Sequence, residues 1–276
     1  MAALANGRFH RAIGRPFVTS TSLEGDFMAH GGTNTSSSNK AGYAAANVSD
    51  RQLARPWRSN VTTASYVAVG VGSSRKPAYV WVDGLNVADF EIRADSDGNL
   101  SAATHSQAVS LGGPDPLTGR YKYLFAVPGG WTAQTYWGVY IANATARTDG
   151  TAEYAVGRIV LVKTLTEIPE FNWGGQRDSV VDAQARAVLP GGSVNGSALG
   201  PMMGTFELSG RWDRVRHANA IAHARAVMRV TGDEAILHFE NRDDLRAAAL
   251  CERVGAGSHA PEGPLTTIDV TLQEIV

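Results

Sequence analysis

The chain has 276 residues, 43% of them hydrophobic and 18% charged, with a formal net charge of −1. That hydrophobic content excludes a chain disordered throughout, and near-neutrality excludes a global field that would draw it to nucleic acid or an anionic membrane. The lone cysteine, Cys251, excludes an intramolecular disulfide and a multi-cysteine zinc site.

Residues 1–53 lack long apolar runs, and the stretch from Gly31 to Asn39 is nearly of low complexity. Two readings stand for this segment. One is a flexible leader; the other is an extended N-terminal arm that orders only against neighbouring subunits, anchored by side chains such as Phe17 and Phe27. Arg11 and Arg15 make its start basic, which favours a solvated face or a subunit contact over nucleic acid. The leader lacks a continuous apolar stretch of the secretory kind, and no apolar run approaches the roughly 20 residues that span a bilayer. The chain is expected to fold in a cytosol, without membrane insertion.

From residue 54 the pattern becomes that of strands. Val67–Val71 and Ala78–Val82 are β-branched and aromatic runs separated by Gly, Ser and Pro. Phe90, Ile92 and Ala94 alternate with Glu91, Arg93 and Asp95, giving one dry and one wet face. Asp97-Gly98 is expected to form a two-residue hairpin turn. Arg120–Val127 stops at Pro128-Gly129-Gly130, and strands over Gln134–Ala142 and Ala152–Val162 follow. Strands at this spacing indicate a sandwich or jelly roll. The order Trp57-Arg58-Ser59, a strand, Gly84-Leu85-Asn86-Val87 and a strand bearing Ile92-Arg93 resembles the galactose-binding-like jelly rolls of tailed-bacteriophage tail proteins, over residues 54–162.

After Val162 the composition shifts. Pro169–Gly175 reads as a loop, Val180–Leu189 as two short alternating stretches, Pro190–Pro201 as a Gly-rich loop and Met203–Leu208 as a strand. Ser209 is expected to cap a helix over Arg211–Val230, with Trp212, Val215, Asn219, Ala222 and Ala226 on one face and Gly232 beyond its end. Ala235–Phe239 reads as a buried strand, Asp243–Ala249 as a helical turn, and Leu250–Val254 with Thr266–Val276 as a closing hairpin. The expected fold is mainly β: a galactose-binding-like β-sandwich (54–162), a smaller α+β domain with one principal helix (163–276) and the arm (1–53).

Gly157-Arg158-Ile159, Asn172-Trp173-Gly174, a Gly-Gly loop, one long helix and a closing strand together resemble distal-tail and baseplate proteins of phages. The resemblance implies a non-enzymatic virion structural protein at the tail tip, made in the bacterial cytoplasm. It implies a ring of copies, a hexamer favoured over a trimer, contacting tail tube, hub and fibre proteins and mounting receptor-binding parts. The assembly contact is assigned to Arg11, Arg15, Phe17, Phe27, Arg211 and Arg214.

Chemistry gathers less support. No G-x-S-x-G elbow occurs, and Cys251 follows an apolar run that suits a buried thiol. His217 and His223 stand six apart on the expected helix, nearly opposite each other, and nothing requires His238 to join them around a metal. Asp95-Ser96-Asp97-Gly98-Asn99 lacks the later ligands of a calcium loop, and Gly70-Val71-Gly72 lacks the rest of a dinucleotide fingerprint. No catalytic residue, metal or cofactor is expected. The rival to the structural reading is a carbohydrate-binding module for cell-surface glycans. Trp131, Tyr136, Trp137 and Tyr140, with Asn143 and Arg147 beyond, would stack on and hydrogen-bond a sugar at one end of the sandwich. The competing account of the same strand is that its alternate residues fill the core.

Overall fold

The computed structural model describes residues 8–17, 19–20, 22, 24–51, 55–114, 119–143, 145–168, 177–181, 184–188, 194–198, 203–216, 218–230, 234–241, 249–262 and 264–275. The first strand is β1 (Arg8–Gly14). There follow β2 (Thr35–Ser36), β3 (Trp57–Arg58), β4 (Ser65–Arg75), β5 (Tyr79–Leu85) and β6 (Asp89–Asp95). Then come β7 (His105–Ser110), β8 (Tyr121–Ala126), β9 (Gln134–Ile141), β10 (Ala155–Val156) and β11 (Arg158–Val162). The remainder supplies β12 (Thr166–Ile168), β13 (Arg177–Val181), β14 (Gln184–Val188), β15 (Val194–Ala198) and β16 (Met203–Asp213). Helix α1 (Ala218–Met228) and strands β17 (Ala235–Asn241), β18 (Ala249–Glu262) and β19 (Leu265–Glu274) complete it.

The protein is mainly β, as expected. Strands β2-β4-β9-β6-β7 form a five-stranded antiparallel sheet, and β11-β5-β8 a three-stranded one. Their facing sides enclose Trp57, Val69, Val80, Ile92, Trp137 and Ile159, the core of an eight-stranded jelly-roll sandwich. A seven-stranded sheet in the order β12-β1-β17-β18-β19-β16-β13 forms the second unit.

The two units share a core. Tyr79, Trp81, Leu124, Val160 and Val162 point from the far side of the three-stranded sheet onto Ala12, Ala235, Leu237, Leu250 and Ile275 of the second unit. Helix α1 covers the opposite face of the seven-stranded sheet, with Ile221, Ala224 and Val227 packed on Ile236, Cys251, Ile268 and Val270. The order of layers is therefore five-stranded sheet, three-stranded sheet, seven-stranded sheet, helix. Being covered on both sides explains why β5 and β11 are buried at every position, and why they read as continuous apolar runs rather than alternating ones.

One buried arginine bridges the two units. Arg158, fully buried, donates at 2.6 Å to Asp83, at 2.6 Å to the Ile275 carbonyl and at 2.7 Å to the Arg51 carbonyl. Past the other end of β11, Glu24 is gripped by Arg75 and Lys163 and accepts the Ala29 N–H. Burial alone would raise the Glu24 carboxyl, but these bonds outweigh it and hold it at about 2.

Several expectations change. The leader is not an arm standing apart. β1 lies between β12 and β17, pairing Arg8 with Asn241 and Gly14 with Ala235, and Phe27, Met28, Ala45 and Val48 are buried in the two cores. The described apolar side chains Phe27, Met28, Ala45 and Val48 are thus spent inside this chain, and the sandwich is an insertion within the second unit. The helix begins later than expected, because Arg211–Asp213 continue β16 through pairing with Thr266 and Thr267 of β19. Ser209 lies within that strand and caps nothing; instead the Asp213 carboxylate accepts the Val215 and Arg216 N–H groups. Val215, expected on a buried face, is 88% exposed. Asp97-Gly98 turns with Gly98 at φ +80°, but the connection to β7 is longer than two residues and includes a 3-10 turn at Leu100–Ala102. The Gly-rich stretch Pro190–Pro201 contains β15, which pairs with β14. The closing hairpin is present as β18 and β19, whereas the helical turn at Asp243–Ala249 and the loop at Pro169–Gly175 lie essentially outside the described residues.

His30 leads to a pH prediction. Its ring is 5% exposed, 2.9 Å from the Ser49 hydroxyl and edge-on to Phe17, and burial pushes it from 6.5 down to about 4. The unfolded chain therefore binds this proton more readily, so the contribution to stability is complete above pH 6.5 and is lost as pH falls toward about 4. Denaturant midpoints measured across that window should fall for the wild type and fall less for His30→Asn. Identical slopes for the two proteins would refute the assignment.

Candidate functional site

The six residues proposed for sugar contact do not converge. Trp137 is fully buried in the sandwich, its indole N–H shared between the Arg75 and Gln134 carbonyls at 3.1 and 3.2 Å. Trp131 stands at the start of β9 on a turn held by Lys76, whose ammonium donates to the carbonyls of Pro128, Gly129 and Trp131. It is no open platform: the His105 ring stacks on it at 5.1 Å and 11°, and Trp137 lies behind at 6.0 Å. His105 is itself tied to Thr132.

Tyr136 and Tyr140 alternate with Trp137 and Val139, so they lie on the outer face of the five-stranded sheet. Arg93 covers the Tyr140 ring at 3.5 Å. Asn143 and Arg147 follow the other end of β9, roughly 20 Å of strand away from Trp131. Asn143 is exposed, while Arg147 packs over Tyr154 at 4.2 Å. The account in which alternate residues of β9 fill the core holds: Trp137, Val139 and Ile141 are fully buried, while the other residues proposed for sugar contact are spread over two ends and one face.

A cleft of about 270 Å³ opens where β6 begins and β7 and β9 end. Phe90, Ala108, Val109 and Ala142 supply its apolar lining; Asp89, Glu91, Ser110 and Thr145 supply polar groups. Asp89 pairs with Ser110 in the register of β6 and β7, and the Ser110 hydroxyl donates to its carboxylate at 2.5 Å. Glu91, opposite Tyr140 of β9, is bonded to Arg93 at 2.8 Å and to the Ser106 hydroxyl. Burial would raise the Glu91 carboxyl, but the bonds from Arg93 and Ser106 win and hold it below the usual carboxylate range.

Of the sequence-derived residues, Tyr140 and Asn143 neighbour this cleft along the chain. Asp89, Ser110 and Thr145 were missed. Their only signal is the register that sets Asp89 against Ser110, and a single strand's pattern does not carry that.

In the acidic turn, Asp95 is engaged by neighbouring groups of the chain. Burial would raise its carboxyl, but the N–H groups of Thr104, Asp97 and Ser96 and the Thr104 hydroxyl saturate it and hold it at about 2. Among the described residues no group of three His, Cys, Asp or Glu is placed to hold a metal. His223 accepts a bond from Arg11 at 2.9 Å; the side chain of His238, and His217 altogether, lie outside what is described.

The residues assigned to assembly divide similarly. Phe27 is core, Phe17 packs against the shared core, and Arg11 is 9% exposed and bonded inside the chain, so these three are not free for a partner. Arg15 is half-buried and Arg214 exposed; the Arg211 side chain lies outside what is described.

No protein-family model matches the chain, and no curated protein matches it. Solved structures similar to it include the lectin domain of lectinolysin complexed with Lewis B antigen, 12% identical, covering 49% of this chain and 94% of that one, TM-score 0.37. Another is chitosan-binding module 1 from a chitosanase/glucanase of Paenibacillus sp. IK-5, 20% identical, covering 47% and 92%, TM-score 0.35. A third is reduced XRCC1 bound to the DNA pol beta catalytic domain, 11% identical, covering 47% and 93%, TM-score 0.37. Likeness at this level says nothing about what this chain binds.

Proposed function

We propose that the protein is a non-enzymatic glycan-binding protein, with the sandwich holding the sugar and the seven-stranded unit serving as its mount. The cleft at Asp89, Glu91, Ser110 and Thr145 carries this reading. A sugar offers an apolar C–H face and a ring of hydroxyls, and this cleft pairs an apolar lining with carboxylates and hydroxyls. At about 270 Å³ it suits a single sugar ring better than a long chain. A glycosidase reading has less behind it. A general acid needs a raised pKa, and Glu91 is pushed the other way.

The test is a glycan array followed by calorimetry on the best ligand. Asp89→Ala removes a charged hydrogen-bond partner, so binding should weaken about 10- to 100-fold, with no hydrolysis products from the bound glycan. An array without a hit, or affinity unchanged in Asp89→Ala, would sink the reading.

A place at the tip of a phage tail is the second reading. Its support is the welded architecture: the sandwich shares a core with the second unit instead of hanging on a linker, as a rigidly mounted host-attachment part requires. Finding the protein in purified virions would support it. Its absence there, with glycan binding intact, would leave the first reading standing alone.

A further inference from the structure

The turn between β16 and α1 presents an unusual surface. Among the described large apolar side chains that are exposed, Val61 and Val254 are 38% and 41% accessible, but Val215 is 88%. It is not loose. The Asp213 carboxylate accepts the N–H groups of Val215 and Arg216, both at 2.9 Å, the Arg214 N–H bonds the Pro264 carbonyl, and the Arg214 guanidinium donates to Thr266. A valine is thus held outward between two exposed arginines. Arg225 on the helix that follows, and Arg229 just past its end, are also exposed. Between 211 and 229 the chain has five arginines and one aspartate.

The cleft is complementary in both respects. Its lining is apolar, from the exposed Ala108 and Ala142 and the largely buried Phe90 and Val109, and its rim is acidic. Glu91 is already engaged by Arg93, which leaves Asp89, exposed, as the carboxylate facing an incoming cation. Turn and cleft belong to different outer layers, with the three-stranded sheet between the two sheets that carry them. A turn seated in this cleft would therefore have to come from another copy.

We propose that the cleft has a second occupant: the Arg214-Val215-Arg216 turn of another copy of this chain, with Val215 in the apolar lining and Arg216 on Asp89. The contact is heterologous, so it closes into a ring or continues as a filament according to the rotation between copies. It rests on the cleft being a binding site, and it makes self-association and glycan binding mutually exclusive. A patch this small gives a weak contact, visible only as concentration rises.

Sedimentation velocity over a concentration series tests it. The wild type should grow in mass with concentration, less so at 1 M salt, where the screening length is about 3 Å. Val215→Asp, a change at an exposed position, should lower the association constant at least tenfold. Arg216→Glu and Asp89→Arg should each lower it alone, and an equimolar mixture of the two should regain association through the swapped charge pair. A wild type that stays monomeric throughout, or a Val215→Asp protein that associates like it, overturns the proposal. The glycan reading is judged separately: monomeric Val215→Asp keeps the whole cleft, so sugar binding by it succeeds or fails independently of assembly. Added glycan ligand should dissociate wild-type assemblies; assemblies that bind glycan at full stoichiometry would also overturn the proposal.

Discussion

Replacing Arg158 by alanine should lower stability by about 3–5 kcal/mol, the cost of removing one member of a buried ion pair. The guanidinium is fully buried and the Asp83 side chain 8% exposed, so the truncation strands a carboxylate between two sheets. It also leaves the Ile275 and Arg51 carbonyls without this donor. Both belong to segments outside the jelly roll proper, so the loss should loosen the junction as well as the sandwich. The double replacement Arg158→Leu with Asp83→Leu should cost less than Arg158→Ala alone, because no charge is then stranded. Urea unfolding followed by tryptophan fluorescence reads this directly, with Trp81 ring-to-guanidinium at 5.4 Å from the altered site. A midpoint for Arg158→Ala indistinguishable from wild type would mean that the pair is not buried as described.

Trp81→Ala should cost about 3–5 kcal/mol as well, for a different reason. Trp81 is fully buried on the side of β5 that faces Leu237, Leu250 and Ile275. Its indole N–H has no hydrogen-bond partner among the described residues, so the loss is one of packing and of the cavity left behind. Trp81→Phe should retain much of the stability. Limited proteolysis of Trp81→Ala should release the sandwich from the second unit more readily than it does in the wild type. A cost within about 0.5 kcal/mol, the range of ordinary surface changes, would show that the two units do not share a core.

What was legible in the sequence was local. The runs Val67–Val71 and Ala78–Val82, the alternation from Phe90 to Asp95 and the closing hairpin near Leu250 appear as strands, and β8 ends before Pro128-Gly129-Gly130, because side-chain period and turn chemistry act over a few residues. The helix was legible as an element and not at its start. Arg211–Asp213 suit a helix by pattern, but β19 lies alongside and its backbone bonds outweigh that preference. The same limit applies to the sugar residues. Tyr136, Trp137 and Tyr140 were legible as aromatic, but whether each faces the core, an arginine or solvent depends on which strands flank β9.

Composition and short-range periodicity sufficed to read a mainly-β chain with a sandwich and one principal helix. Long-range packing set β1 against β17 more than 200 residues later, making the sandwich an insertion, and brought Asp89 to Ser110 at a cleft. Those pairings join residues far apart along the chain. Their free energy comes from burying complementary surfaces, which no local window contains.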